Sequence, residues 1–141
     1  MALAMDEAAL MAFLESDFPQ AKDDFVVEEV AEGRLTMRLK VTDAHLRPGG
    51  TVSGPSMFAL ADVGIYLAIL AMIGPKALAV TTNASLDFMR KPAAGKDMLC
   101  EVRVLKLGRV LAVCDALLYS EGQREPVARA NMTYSIPKDV G

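Results

Sequence analysis

The run from Pro55 to Ile73, PSMFALADVGIYLAILAMI, is apolar almost without interruption and is bounded by proline at its start and Gly74-Pro75 at its end. Proline suits the first turn of a helix, where its missing N–H is not needed, and a glycine followed by proline stops one. A helix that is apolar all round has no face to offer to water. It belongs either in a bilayer, which about 20 apolar residues can span, or inside a protein that covers it. The segment is barely long enough to span, carries Asp62 in its first half, and has neither tryptophan nor basic clusters at its ends. The rest of the chain is therefore expected to wrap around this helix.

The other elements follow from periodicity. DEAALMAFLESDF has Leu10, Phe13 and Leu14 at helical spacing, acids in its first turn and Pro19 just beyond its end, and reads as a short amphipathic helix. RLTMRLKV sets Leu35, Met37, Leu39 and Val41 against Arg34, Thr36, Arg38 and Lys40, the pattern of a half-solvated strand. FVVEEVAEG before it is the expected hairpin partner, turning at Glu32-Gly33. Four strand-like segments follow the long helix. The first, LAVTTNASLDFMRKP, is expected to show Val80, Thr82, Ala84, Leu86 and Phe88 on one face. DMLCEVRVLKLG puts Cys100, Val102 and Val104 opposite Glu101 and Arg103, and RVLAVCDALLYSEG is apolar on both faces, as a central strand would be. PVARANMTYSIP sets Ala128, Ala130, Met132, Tyr134 and Ile136 against Arg129, Asn131, Thr133 and Ser135. The order predicts one α+β domain over residues 1–141, an antiparallel sheet wrapped around one long central helix.

Composition narrows the function classes. The 141 residues are 52% hydrophobic and carry a net charge of -3, with no cluster of Lys or Arg. Nucleic acid and anionic membranes are not the expected partners. Cys100 and Cys114 each lie in an apolar stretch and are expected as buried free thiols, and one histidine without paired cysteines leaves no structural zinc site. MALAMDEAAL lacks the basic and apolar regions of a secretory signal, so a reducing cytoplasm is the expected location.

The chemistry concentrates between His45 and Asp62, which read HLRPGGTVSGPSMFALAD. Gly49-Gly50 lets the backbone bend close to a ligand. Gly54 precedes Pro55, so its N–H lies at the start of the long helix with the dipole behind it, a position suited to an oxyanion or a polarised carbonyl. Asp62 lies about two turns further on. On residue type alone it is either a structural carboxylate tied to a buried arginine or a reacting group, as general base or nucleophile.

This stretch, with the later LDFMRKPAAG and the closing segments, resembles the hotdog-fold acyl-CoA thioesterases, and within them the PaaI-like group, whose turn has the form HLNPxGxxHGGxxxALAD. The resemblance runs from about residue 25 onward. It implies a hotdog fold and hydrolysis of an acyl-CoA to free acid and CoA. In this reading Asp62 acts across a dimer interface on substrate held by the other subunit's turn, and Gly54 N–H polarises the carbonyl. Thr82 falls where the family often has a Ser or Thr that positions the water or the Asp. A homodimer or homotetramer follows, and no cofactor beyond the CoA of the substrate. Two motif positions differ: the family's Asn is Arg47, and its His-Gly-Gly is Ser53-Gly54-Pro55. Ser53 is expected to cap the helix or touch the thioester, and Arg47 to meet Asp62 or a carboxylate on the acyl group. Arg90, Lys91 and Arg109, at strand ends near glycines, are candidates for the CoA phosphates against a default of solvated charge. His45, upstream of the turn, is expected to be structural. The competing function is a hotdog protein that binds an acyl-CoA or acyl chain without hydrolysing it. Hotdog hydratases and dehydratases rank last: they typically rely on a His with a carboxylate, and the only His here, His45, lies upstream of the turn.

Overall fold

The structure, a computed structural model, describes residues 2–138. The elements are α1 (Glu7–Asp17), β1 (Phe25–Ala31), β2 (Arg34–Leu39), a single 3-10 turn (Asp43–His45), α2 (Gly54–Ile73), β3 (Val80–Phe88), β4 (Met98–Leu107), β5 (Leu111–Ser120) and β6 (Ala128–Ser135). The six strands form one antiparallel sheet in the order β1-β2-β4-β5-β6-β3, and α2 lies against its inner face. This is the α+β arrangement, an antiparallel sheet around one long helix, that the element order predicts, and the hotdog fold that the resemblance implies.

α2 starts one residue earlier than expected, at Gly54, with Ser53 as N-cap and Pro55 in the first turn. By length and composition it is apolar enough to cross a membrane, yet Leu60, Ile65, Leu67, Ile69 and Leu70 are completely buried in the core. The helix comes unusually close to the sheet at Gly64. A Cβ there would lie 3.3 Å from Val102 Cγ2 and 3.4 Å from Cys100 Sγ. Both cysteines are buried free thiols, as expected. Burial, with a smaller contribution from the Asp115 charge, pushes the Cys114 thiol up to about 12.

Two features are absent from the periodicity. Arg38, on the polar face of β2, gathers Glu28, Asp97 and Glu121 within 3.0 Å and so ties the β1–β2 hairpin to the start of β4 and the turn after β5. The second is a register shift in β3. Thr81 pairs with Tyr134 and Asn83 with Thr133, so Thr82 is bulged out of the ladder. A bulge exchanges the faces of the residues on one side of it. The inner face of β3 therefore reads Thr81, Ala84, Leu86 and Phe88. Thr82, expected inside, is exposed.

The two sheet edges differ. β1 is covered by α1: Val27 N–H donates to Met11 Sδ at 3.3 Å and Val30 N–H to Glu7 Oε2 at 3.2 Å. Among the described residues β3 has no neighbour on its outer side, and Val80 and Phe88 are 55% and 54% exposed.

The approach at Gly64 generates a prediction. Gly64→Leu forces a side chain into the contact with Cys100 and Val102, and overpacking of this kind costs about 1–3 kcal/mol. A thermal melt should place its Tm several degrees below the parent, despite the better helix propensity of leucine. An equal or higher Tm would mean that α2 can lift from β4 freely.

Candidate functional site

The turn ahead of α2 is built by backbone bonds. Arg47 N–H donates to Thr51 O at 2.9 Å, Gly50 N–H to Arg47 O at 3.0 Å, and Leu46 bridges Val52. Gly49 and Gly50 have φ of 101° and 85°, the left-handed region that side chains disfavour. His45 lies beneath the turn as a strut. Its Nδ1 accepts from Thr42 N–H at 2.9 Å, its Nε2 is 3.4 Å from Asp24 Oδ2, and its carbonyl accepts from Ser53 N–H at 2.8 Å. An accepting Nδ1 puts the proton of the neutral ring on Nε2, facing Asp24.

Ser53 Oγ accepts from Ser56 N–H at 3.2 Å and donates to Ser56 Oγ at 3.0 Å, so its hydroxyl caps the helix. Gly54 N–H donates to no described residue, and Pro55 has no N–H to compete with it. A Cβ on Gly54 would stand 3.6 Å from Phe88 Cζ, which places the start of α2 beside the end of β3.

Asp62 sits two turns along α2, beside the beginning of β3. Its Oδ1 accepts from Thr81 Oγ1 at 2.6 Å and from Tyr134 Oη at 2.6 Å, and Tyr134 Oη is also 3.0 Å from the Asp62 carbonyl oxygen. No cation lies within ion-pair distance of Asp62 among the described residues, so a partnership with a buried arginine within the protomer is excluded. Thr82 does not reach it. Its hydroxyl donates outward to Thr133 O at 3.3 Å, and the neighbouring Thr81 fills the expected place because the bulge turns it inward.

Asp62 lines a cavity of 430 Å³ whose walls include Asp17, Phe18, Tyr66, Val80, Thr81 and Tyr134. The aromatic wall is organised: Tyr66 stacks on Tyr134 with centroids 6.0 Å apart, meets Phe18 edge-on at 6.2 Å, and donates its hydroxyl to Ala77 O at 2.9 Å. Burial, then the charge of Asp62, holds the Tyr134 hydroxyl far above the usual tyrosine value. A larger hollow of 530 Å³ lies on the opposite face of the sheet, lined by Glu29, Arg34, Glu101, Arg103 and Arg129, and none of the turn residues borders it. No group of three or more His, Cys, Asp or Glu among the described residues is arranged to hold a metal.

The remaining candidates fall at two ends of the molecule. Arg90, just past β3, donates to Pro126 O at 2.6 Å and pairs with Glu125 at 3.3 Å, and Lys91 next to it is exposed. Both are on the Gly54 side. Arg109 lies exposed in the β4–β5 turn, whose Val110 carbonyl accepts from Ile136 N–H beyond β6, on the Asp62 side. Arg47 is exposed on its loop and does not border the cavity within one protomer. Thus the protomer brings Asp62 together with Thr81, Tyr134 and Tyr66, and holds Gly54, Arg90 and Lys91 apart from them. Sequence reasoning missed Thr81 and Tyr134; an inward-facing tyrosine near the end of β6 was legible, its hydroxyl's target was not.

Comparison with known proteins adds the following. The pattern of the Thioesterase superfamily matches residues 49–127. A Pseudomonas aeruginosa protein provisionally named an esterase is 33% identical over 113 residues, covering 80% of this chain and 83% of that protein. Among solved structures, a provisionally named thioesterase from a Silicibacter species superposes with a TM-score of 0.92 at 62% identity, over 98% of this chain and 96% of the other. A mutant of the phenylacetic acid degradation protein PaaI from Thermus thermophilus superposes with a TM-score of 0.73 at 28% identity, over 84% and 99%.

The strut beneath the turn is testable. His45→Ala removes the acceptor of the Thr42 N–H, and a hydrogen bond of this kind contributes about 0.5–1.5 kcal/mol. Thermal unfolding should give a lower Tm; an unchanged Tm would mean that the turn holds its shape without the imidazole.

Proposed function

The chain belongs to the thioesterase superfamily, and from that premise we propose that it hydrolyses an acyl-CoA thioester to free acid and CoA. Gly54 N–H, at the positive end of the α2 dipole, polarises the thioester carbonyl. Asp62 either takes a proton from the attacking water or attacks the carbonyl carbon itself, in which case water cleaves the resulting anhydride. Both routes release the CoA thiol and a carboxylic acid. Neither calls for a metal or a further cofactor, because CoA enters as part of the substrate. The reducing cytoplasm, where buried free thiols persist, is the proposed location.

One observation carries this reading: the two groups that must meet one carbonyl are too far apart in a single protomer. Eight residues of helix separate Gly54 from Asp62, about 12 Å along the axis and about 80° around it. Gly54 lies beside Phe88 at the end of β3, and Asp62 is bonded to Thr81 near its start. The open β3 edge offers the remedy. If two copies pair their β3 strands antiparallel about the middle, the start of one strand meets the end of the other. Asp62 of one subunit then comes beside Gly54 of its partner, twice in each dimer. Arg109 of one subunit falls at the same end as Arg90 and Lys91 of the other, where CoA phosphates would meet them. A homodimer is the smallest assembly with complete sites, and a homotetramer of two such dimers preserves them.

A second reading, an acyl-CoA or acyl-chain binding protein without turnover, draws on Ser53, whose hydroxyl caps the helix where the family motif has a histidine. A panel of acyl-CoA thioesters with detection of free thiol separates the two. The parent should release thiol from at least one member, and Asp62→Asn should lower that rate by ~10²–10⁴ while still binding. Binding without thiol release by the parent favours the second reading, and full activity in Asp62→Asn removes the carboxylate from the mechanism.

The shared site has its own test. Asp62→Asn and Gly54→Leu should each be inactive alone. Denatured together and refolded at equal concentration, they should regain about a quarter of the parent activity, since half the dimers are mixed and each mixed dimer holds one intact site. No recovery from well-folded mixed dimers means that Gly54 and Asp62 do not work across the interface.

A further inference from the structure

Both hydroxyl donors to Asp62 fall on the same oxygen. Thr81 Oγ1 and Tyr134 Oη each donate to Oδ1 at 2.6 Å, whereas Oδ2 accepts from no described residue. These are the lengths of charge-assisted bonds, about twice as strong as neutral ones. The two donors come from register partners on neighbouring strands, Thr81 of β3 and Tyr134 of β6, and converge on α2 from one side. Neither donor is free to leave. The Tyr134 ring is 3% exposed and stacked on Tyr66, and Thr81 points inward because the bulge at Thr82 turns it. Burial, then the charge of Asp62, favours the protonated form of Tyr134, so its hydroxyl stands as a donor to Asp62.

An unrestrained aspartate rotates broadly about its terminal torsion and exchanges its two oxygens. We propose that Tyr134 is a further positioning residue: with the Thr81 hydroxyl, which stands in the place the resemblance gives to a positioning Ser or Thr, it locks Oδ1 and so presents Oδ2 as the single reacting oxygen of Asp62. The proposal rests on the reading of Asp62 as the reacting group. The bulge decides which hydroxyl serves, because it turns Thr81 inward and Thr82 outward. The lock also explains why the aromatic wall contains tyrosine at position 134 where phenylalanine would pack as well: the hydroxyl is what reaches α2. Tyr66, which stacks on that ring and is itself tied to Ala77 O, fixes the plane from which the hydroxyl donates.

Three variants of the full chain test the lock on the best thioester of the panel: Tyr134→Phe, Thr81→Val and Thr81→Ser. Tyr134→Phe keeps the ring and its stacking, Thr81→Val keeps the shape without the hydroxyl, and Thr81→Ser restores the hydroxyl. Misplacing a reacting group by an ångström costs up to ~10²-fold, so Tyr134→Phe and Thr81→Val should each lower kcat by about 10- to 100-fold. KM should stay within about twofold, the pattern of an interaction made only in the transition state. Thr81→Ser should recover most of the parent kcat. Melting curves and sedimentation run in parallel identify any variant whose fold or assembly has changed, and for such a variant Thr81→Ser remains the deciding measurement. Parent-like kcat in both Tyr134→Phe and Thr81→Val, with Asp62→Asn inactive, overturns the lock and leaves the function standing. Loss of activity in Thr81→Ser equal to that in Thr81→Val also overturns it, because the hydroxyl would not be what matters. Parent-like activity in Asp62→Asn removes the function reading itself.

Discussion

A helix without a polar face has to be covered, and nearly everything else in this molecule answers that demand. α2 leaves Leu60, Ile65, Leu67, Ile69 and Leu70 with no contact to water. At roughly 1.5–3 kcal/mol for each large apolar side chain taken from water, this one element accounts for much of the drive to fold, before conformational entropy is set against it. The covering sheet must come close, and Gly64 sets how close, since any side chain there meets Cys100 and Val102. The core is thus a strand-helix contact fixed by a missing Cβ.

The same burial makes Asp62 conspicuous. An ionised carboxylate in an apolar helix is expensive unless donors meet it. The structure answers with two hydroxyls and no cation, which supports the charge without neutralising it by an ion pair. Both donors fall on one oxygen, the other accepts from no described residue, and the residue lines a cavity. That asymmetry, more than the mere presence of an acid, is what gives the site its chemical character.

How much of this is legible in the chain depends on the range of the interaction. The long helix, its start at Ser53-Gly54-Pro55 and its stop at Gly74 follow from local signals, and they appear in the structure within a residue of where those signals put them. Strand identity follows from alternation. The inner face of β3 does not, because the bulge at Thr82 is decided by pairing with β6, some 50 residues away, and one inserted residue exchanges Thr81 for Thr82. Arg38 reads as one of several solvated charges, and only the sheet order brings Glu28, Asp97 and Glu121 around it. Alternation places Tyr134 on an inner face, but its hydroxyl reaches a residue 72 positions earlier, which no periodicity encodes. The roles expected of Gly54, Arg47, Arg90, Lys91 and Arg109 are proposals that call on a partner subunit, and they lie beyond both the pattern and a single protomer.

The unequal edges of the sheet have a consequence for growth. A strand edge with bare N–H and C=O groups recruits further strands, and a sheet with two such edges can lengthen without limit. Here α1 closes one side, with Met11 and Glu7 occupying amide donors of β1, while β3 stays open. The molecule is in effect monovalent for strand addition. Two copies that join through β3 would use up the one open edge among the described residues of each, so the same contact that starts association would also terminate it.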